Sequence, residues 1–419
     1  MKRVWCLLLI ALLLFGCVGE PDAPVVLVPT DAAAAEPTPT ELPAPTEAPT
    51  PEPTPEPTAE PTPEPTLSPE QRLYAYVEGM SVEDRIGQLC MFGFSGTSKI
   101  SAEFKTILQT YRIGSVILYG QNIARGNGDG GFSQCGKLSD SVCKANASEI
   151  PLLISTDVEG GRVTRFKWKK SLSSARTLGK KNDTDLAEEQ FRYIAEGLLR
   201  AGINTDLAPC LDVCVSPSGS FLGDRIISAD ASRAASIGAA CVDGLHEGGC
   251  LSIVKHFPGH GATNTDSHEA TPVVKKTLDE LNDYELVPFA ETLQVADGVM
   301  VAHILYPNID AAHIASQSEV FITGVLRGQF DFQGIVMSDD FRMAGIRKQT
   351  SLKEGAVRFI LAGGDLVLCG ANHSYQKQIL EGLYEAVEDG TITEQRLNES
   401  VYRILSAKMR VTGWNPFEK

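Results

Sequence analysis

The 419 residues carry 37 Lys and Arg against 53 Asp and Glu, a formal net charge of −16 at pH 7. An acidic balance of this size argues against nucleic acid as a partner. The length leaves room for one large barrel or two smaller domains beside a tail.

Lys2 and Arg3 precede an almost wholly apolar run from Val4 to Phe15, followed by Gly16-Cys17. That run is too short to span a bilayer and fits a secretory signal over residues 1–16. Leu14-Phe15-Gly16-Cys17 resembles the bacterial lipobox. The resemblance implies that Cys17 becomes the lipidated first residue of an extracytoplasmic protein anchored to the cell membrane.

From Pro21 to Ser68 the chain is mostly Pro, Thr, Glu and Ala, with Pro51-Glu52-Pro53-Thr54-Pro55-Glu56-Pro57-Thr58 as its clearest repeat. Such a composition buries too little apolar area to offset ordering entropy, so residues 17–68 are expected to form an extended, semi-rigid tether. The segment from 21 to 68 holds nine acids and no Lys or Arg, so it supplies over half of the net charge. Residues 69–419 have ordinary globular composition and are expected to be one catalytic domain.

Eight cysteines besides Cys6 and Cys17 are scattered through this part. Cys135 with Cys143, and Cys210 with Cys214, are near enough in sequence for disulfides in an exported protein. None forms a CxxC pair or a Cys/His cluster with zinc spacing, so no structural metal is expected.

Short β-rich runs recur at Leu89–Phe92, Ser115–Tyr119, Leu152–Ser155, Thr205–Ala208, Leu251–Val254, Gly298–Val301, Gly334–Met337 and Gly364–Leu368. Helical patterns follow them over Ser101–Tyr111, Leu138–Ala147, Leu186–Ala201, Ala231–Glu247, Leu278–Val295, Glu319–Phe330, Leu352–Ala362 and Tyr375–Val387. Alternating strand and helix, with strands apolar on both faces, predicts an α/β fold with a parallel sheet covered by helices. Eight such units predict a (β/α)8 TIM-type barrel. The rival is an open doubly wound sheet, and no Gly-rich nucleotide fingerprint follows the first strand to support it.

Barrel chemistry gathers at the carboxyl ends of the strands. Polar groups do follow the runs: Asp157 to Arg165 after the third, Asp212 after the fourth, His303 after the sixth, and Ser338-Asp339-Asp340 after the seventh. The densest stretch is Lys255-His256-Phe257-Pro258-Gly259-His260-Gly261-Ala262-Thr263-Asn264-Thr265-Asp266-Ser267-His268, which holds three of the chain's seven histidines. Taken singly, each histidine reads as a structural residue in a solvated loop. Together with Asp266 two residues before His268, they read as acid/base and binding chemistry.

At these residues the sequence resembles the family 3 glycoside hydrolases, specifically the single-domain β-N-acetylglucosaminidases that trim peptidoglycan fragments. The matching pieces are Asp157-Val158-Glu159-Gly160-Gly161-Arg162-Val163-Thr164-Arg165, Asp206-Leu207-Ala208-Pro209, Gly223-Asp224-Arg225, the stretch from Lys255 to His268, and Ser338-Asp339-Asp340-Phe341-Arg342-Met343. They run in family order across nearly the whole globular part.

The resemblance implies exo-acting, retaining hydrolysis of terminal β-linked N-acetylglucosamine, with no cofactor and no metal. Asp339 matches the nucleophile that forms a covalent glycosyl-enzyme. Asp340 has the same chemistry, so residue type alone does not separate the pair; Asp340 is expected to cap the next helix. His268 matches the acid/base, with Asp266 stabilising its charged form. Asp157, Arg165, Arg225, Lys255 and His256 match sugar-binding positions, where carboxylates accept from hydroxyls and cations donate to them. The same types also form barrel-mouth salt bridges. Asp212, Asp224 and His303 are expected to stand behind this ring.

Three departures from the family pattern touch no residue assigned to chemistry: Ala262 in place of an acid, Thr271 in place of Leu, and Phe341-Arg342 in place of Leu-Ser. Larger members add a second domain, which supplies the acid/base of family glucosidases. Lys419 comes soon after the last helices, so a histidine loop within the barrel is expected, favouring N-acetylglucosamine over glucose. The alternatives are a β-N-acetylglucosaminide phosphorylase, a β-glucosidase of the same family, and a non-catalytic wall-binding lipoprotein. The expected partners are N-acetylglucosaminides or muropeptides and, through lipid, the membrane, with the protein a monomer.

Overall fold

Each of the eight apolar runs forms a short strand buried along its whole length, the burial that a parallel sheet covered on both faces requires. In the computed structural model, residues 67–418 are described, apart from 127, 217–219, 264, 266 and 268. The strands are β1 (Cys90–Gly93), β2 (Ser115–Ile117), β3 (Leu153–Thr156), β4 (Thr205–Asp206), β5 (Leu251–Phe257) and β6 (Gly298–Val301). A hairpin of β7 (Leu305–Tyr306) and β8 (Asp310–Ile314) intervenes before β9 (Ile335–Ser338) and β10 (Val367–Cys369).

The sheet runs β10-β1-β2-β3-β4-β5-β6-β9, every pairing parallel. A parallel bridge between Met337 and Leu366 joins its two ends, with Ser338 N–H donating to Leu366 O at 3.0 Å. The sheet thus closes on itself as the (β/α)8 arrangement. β4 has only two residues because Pro209 soon follows and lacks a ladder donor. Its carbonyl still accepts from Lys255 N at 3.1 Å, which fastens this strand end to β5.

Helices start where capping side chains meet apolar periodicity. Ser101, Asp183, Asp230, Ser351 and Asn372 each accept a first-turn amide at the head of a barrel helix. The helix expected from Leu138 begins earlier, at Phe132, because Phe132, Cys135, Leu138, Val142 and Ala145 form one buried stripe. The expected helix over Leu278–Val295 is two pieces, Leu278–Asn282 and Val287–Thr292. Pro288 stands second in the latter, in the first turn, where its missing N–H costs nothing. Val320–Gln329 is wound with i to i+5 bonds, Phe330 N donating to Val325 O at 2.9 Å.

Sequence periodicity did not reveal the helices Pro69–Glu78, Val82–Gln88, Ala175–Lys181 and Glu394–Thr412, nor the hairpin. Glu394–Thr412 packs on the first two of these, with Tyr76 edge-on to Trp414 at 5.8 Å. Lys408 lies fully buried there, donating to Gln88 Oε1 and Gly114 O, each at 2.6 Å.

The eight described cysteines are free thiols, which corrects the disulfide expectation. Cys135 and Cys143 share one helix and stand about 12 Å apart along its axis at 1.5 Å per residue, far beyond disulfide reach. The expected signal, Cys17 and the tether lie outside the described residues, as do Asp266 and His268. Among the described residues no helix is long and apolar enough to cross a membrane.

Candidate active site

The loop after β3 turns sharply at Gly160 and Gly161, whose φ of 85° and 54° belong to the left-handed region that favours glycine. A side chain on Gly160 would meet Ser173 O at 2.2 Å. Glu159 N donates to Val163 O at 2.9 Å across the turn. Arg165, itself at φ 49°, lies close enough for its Nη2 to reach Asp157 Oδ2 at 2.5 Å. A non-glycine residue in that conformation carries strain of about 1 kcal/mol or more.

Lys255, at the end of β5, points its ammonium between two carboxylates, 2.7 Å from Asp157 Oδ1 and 2.8 Å from Glu159 Oε1. Arg225 grips both oxygens of Glu159, at 2.8 and 2.9 Å. Burial pushes the Asp157 carboxyl up, but Lys255 and Arg165 outweigh it and hold the group well below the usual range. Burial is likewise outweighed at Glu159 by Arg225 and Lys255, which bring it down to about 2. Both acids are therefore ionised, and the buried charges satisfy one another as burial demands.

His256 is oriented from both sides. Its Nδ1 lies 2.6 Å from Asp212 Oδ2, and its Nε2 is 3.3 Å from Arg225 Nη2. The other Asp212 oxygen accepts His260 N at 2.5 Å. Burial raises the Asp212 carboxyl, but the His256 charge and hydrogen bond prevail and keep it low. His260 Nε2 meets Ser267 Oγ at 2.8 Å, and burial followed by the His256 charge depresses its basicity.

Asp339 and Asp340 follow directly on β9. Asp339 N donates to Val301 O at 3.0 Å, and Asp340 N donates to the Asp339 carboxylate at 2.7 Å. Asp340 does not cap the next helix: Ala344–Arg347 starts after Met343 with no side-chain cap. Instead its carboxylate accepts Tyr119 OH at 2.8 Å, Arg342 Nε and Nη2 at 2.9 and 2.7 Å, and the amides of Arg342 and Gly370. Arg342 also lies over the Tyr119 ring at 5.1 Å. Burial, then the Asp340 charge, raises the Tyr119 phenol, so it acts as a neutral donor.

These groups surround one cavity of about 190 Å³ at the carboxyl ends of the strands. Asp339 and all five expected binding residues line it: Asp157, Arg165, Arg225, Lys255 and His256. Glu159, Tyr119, Asp340 and Arg342 line it too, and sequence reasoning gave none of them a binding role. For Glu159 the signal was present, two residues after Asp157 at a strand end. Tyr119 carried none. Asp266 and His268 lie outside the described residues, but Ser267 between them lines the cavity. Of the residues expected behind the ring, Asp212 backs His256 and His303 is fully buried, its Nδ1 2.7 Å from Ser316 Oγ. Asp224 pairs instead with the half-exposed Arg162 at 3.2 Å. Asp157, Glu159, Lys255, Arg165 and Arg225 hold one another in a single ion-pair network, and the wall they form, rich in donors and acceptors, suits a polar ligand rich in hydroxyls.

The sequence matches the glycosyl hydrolase family 3 N terminal domain over residues 81–407. It is 32% identical over 316 residues to a β-hexosaminidase of Idiomarina loihiensis, covering 74% of this chain and 91% of the relative. It is 34% identical over 292 residues to a β-hexosaminidase of Tolumonas auensis, covering 68% and 84%. A solved glycoside hydrolase family 3 β-N-acetylglucosaminidase from Paenibacillus sp. str. FPU-7 superposes with a TM-score of 0.75 at 35% identity. That comparison covers 81% of this chain and 65% of the Paenibacillus protein.

Proposed function

Because the chain belongs to glycosyl hydrolase family 3, we propose that it is an exo-acting, retaining β-N-acetylglucosaminidase that removes terminal β-linked N-acetylglucosamine from peptidoglycan fragments or related glycans. The observation that carries this reading is the placement of Asp339 in one small cavity with Asp157, Arg165, Arg225, Lys255 and His256. The ring holds the hydroxyls of one terminal sugar. Asp157 accepts hydrogen bonds through an ionised carboxylate, while Arg165, Lys255 and Arg225 donate them.

Asp339 attacks the anomeric carbon and forms an ester, while His268 gives its proton to the departing oxygen. The same imidazole then takes a proton from water, which attacks the anomeric carbon and returns the Asp339 carboxylate. Asp266 stabilises the imidazolium between the two steps. Of the two hydrolase readings, N-acetylglucosamine over glucose is favoured by the names of the relatives.

The amino-terminal sequence supports a lipidated Cys17 that tethers this monomeric catalytic domain (69–419) to the outer face of the membrane. Cys17→Ser should release the protein into the medium, and a variant that stays membrane-bound would contradict the anchor. For the activity, rates on aryl β-N-acetylglucosaminide and aryl β-glucoside, with and without phosphate, provide the test. Faster hydrolysis of the first, unaffected by phosphate, is expected. A phosphate requirement would assign a phosphorylase, and preference for the second substrate a glucosidase.

A further inference from the structure

His256 lines the sugar cavity, whereas Cys210 and Asp212 are buried behind it. One donor atom from each of the three lies within 4.8 Å of the other two. Cys210 Sγ is 3.2 Å from Asp212 Oδ2, and His256 Nδ1 is 2.6 Å from the same oxygen. We propose that Cys210, Asp212 and His256 form a binding site for a thiophilic divalent cation such as Zn²⁺, and that its occupation competes with the sugar.

The donor set is a thiolate, an imidazole and a carboxylate, which suits Zn²⁺ and leaves a fourth position open. It excludes Mg²⁺ and Ca²⁺, which demand oxygen ligands. Tetrahedral bonds of about 2.0 Å to N and O and about 2.3 Å to S set the donors roughly 3.3–3.5 Å apart. The sulfur therefore stands nearly at its required distance from Asp212, and the imidazole must withdraw by about 0.7 Å. Asp212 is already oriented, since its other oxygen is fixed by His260 N at 2.5 Å.

Without the cation, the thiol and the imidazole nitrogen share one carboxylate oxygen. On binding, the thiol and Nδ1 of His256 each give a proton to solvent, which leaves the imidazole neutral with its one proton on Nε2. That nitrogen faces Arg225 Nη2 at 3.3 Å, and as a donor it cannot accept a hydrogen bond from the guanidinium. The nearby cations do not forbid the site. Arg225 is held on both oxygens of Glu159, and Lys255 is shared between Glu159 and Asp157. The displacement of His256 matters because the residue lines the cavity, and misplacing a binding group by an ångström can cost about a hundredfold in rate. Binding is independent of the sugar reading; competition rests on it.

The test uses the full chain after treatment with a chelator. Titration with Co²⁺ should produce a thiolate-to-cobalt charge-transfer band that saturates at one equivalent and is absent in Cys210→Ala. Zn²⁺ should inhibit aryl N-acetylglucosaminide hydrolysis and Mg²⁺ should not. The Zn²⁺ concentration for half-inhibition should rise by about tenfold or more in Cys210→Ala. The rate of that variant without metal should match the wild type, since Cys210 does not line the cavity. Cys210→Val serves if the alanine variant fails to fold. No thiolate band, or a band and a Zn²⁺ sensitivity that survive both substitutions, would overturn the site. A Cys210-dependent band without inhibition would overturn the competition. If the protein hydrolyses no glycoside, the cobalt spectrum alone still decides whether the site exists.

Discussion

The backbone amide of Asp340 donates to the carboxylate of Asp339 at 2.7 Å, while the side chain of Asp340 is fixed by Tyr119, Arg342 and Gly370. The second acid of the pair thus orients the first. Asp340→Asn keeps an acceptor but loses the charge that holds Arg342, and its kcat should fall by roughly tenfold. Asp339→Asn should lose several orders of magnitude, on the order of 5 kcal/mol or more in the barrier. Arg342→Ala combined with Asp340→Asn should cost little more than Asp340→Asn alone, because both break one contact. Additive losses in steady-state kinetics would show that Arg342 acts separately.

Lys255→Met leaves Asp157 and Glu159 buried without their shared cation, which should cost about 3–5 kcal/mol in urea unfolding. The pH dependence has a definite sign. Both carboxyls lie below their unfolded values, so their contribution is complete above about pH 4.3 and is lost as pH falls toward the Glu159 value of about 2. The wild type should therefore lose stability steeply in this window and the variant much less. Parallel acid-unfolding curves would rule out the network as the cause.

Lys408 makes the opposite case, a buried ammonium with two neutral acceptors and no described carboxylate partner. Burial lowers its pKa to about 7. Between pH 7 and about 10.4 the unfolded chain holds a proton that the folded chain lacks, so stability should rise with pH there. That rise should be absent in Lys408→Met, whatever the net effect of leaving Gln88 Oε1 and Gly114 O without a donor. Urea midpoints at pH 7, 8.5 and 10 measure it, and equal slopes for the two proteins would contradict the assignment.

If His268 is the acid/base, the loss on substitution depends on the leaving group. Dinitrophenolate needs little protonation, so glycosyl transfer from its glycoside should survive His268→Ala far better than that from a natural disaccharide. Equal losses on both substrates in pre-steady-state measurements would assign His268 to binding.

Much of this site was legible because its residues come in short strings at strand ends. Asp157 to Arg165, Lys255-His256 and Ser338-Asp339-Asp340 each follow an apolar run that the barrel buries on both faces. Tyr119 and Arg342 were not legible as partners, since Tyr119 meets Asp340 across 221 residues and only barrel closure brings them together. Cys210 read as half of a disulfide; it meets Asp212 two residues on, and His256 joins them only once the chain after β4 lies beside β5. Glu394–Thr412 escaped notice because charged residues dominate its exposed faces and a lysine sits fully buried among its apolar ones. The break between Leu278–Asn282 and Val287–Thr292 was visible in principle at Pro288, a residue that starts a helix more readily than it continues one.

Trapping decides whether Asp339 forms the covalent glycosyl-enzyme. The wild-type protein is incubated with a 5-fluoro N-acetylglucosaminyl donor, digested, and its peptides mapped by mass. One added glycosyl group is expected on the peptide containing Asp339, located on Asp339 by fragmentation and missing in Asp339→Asn. A label on Asp340, or none on either residue while the donor is turned over, would contradict it.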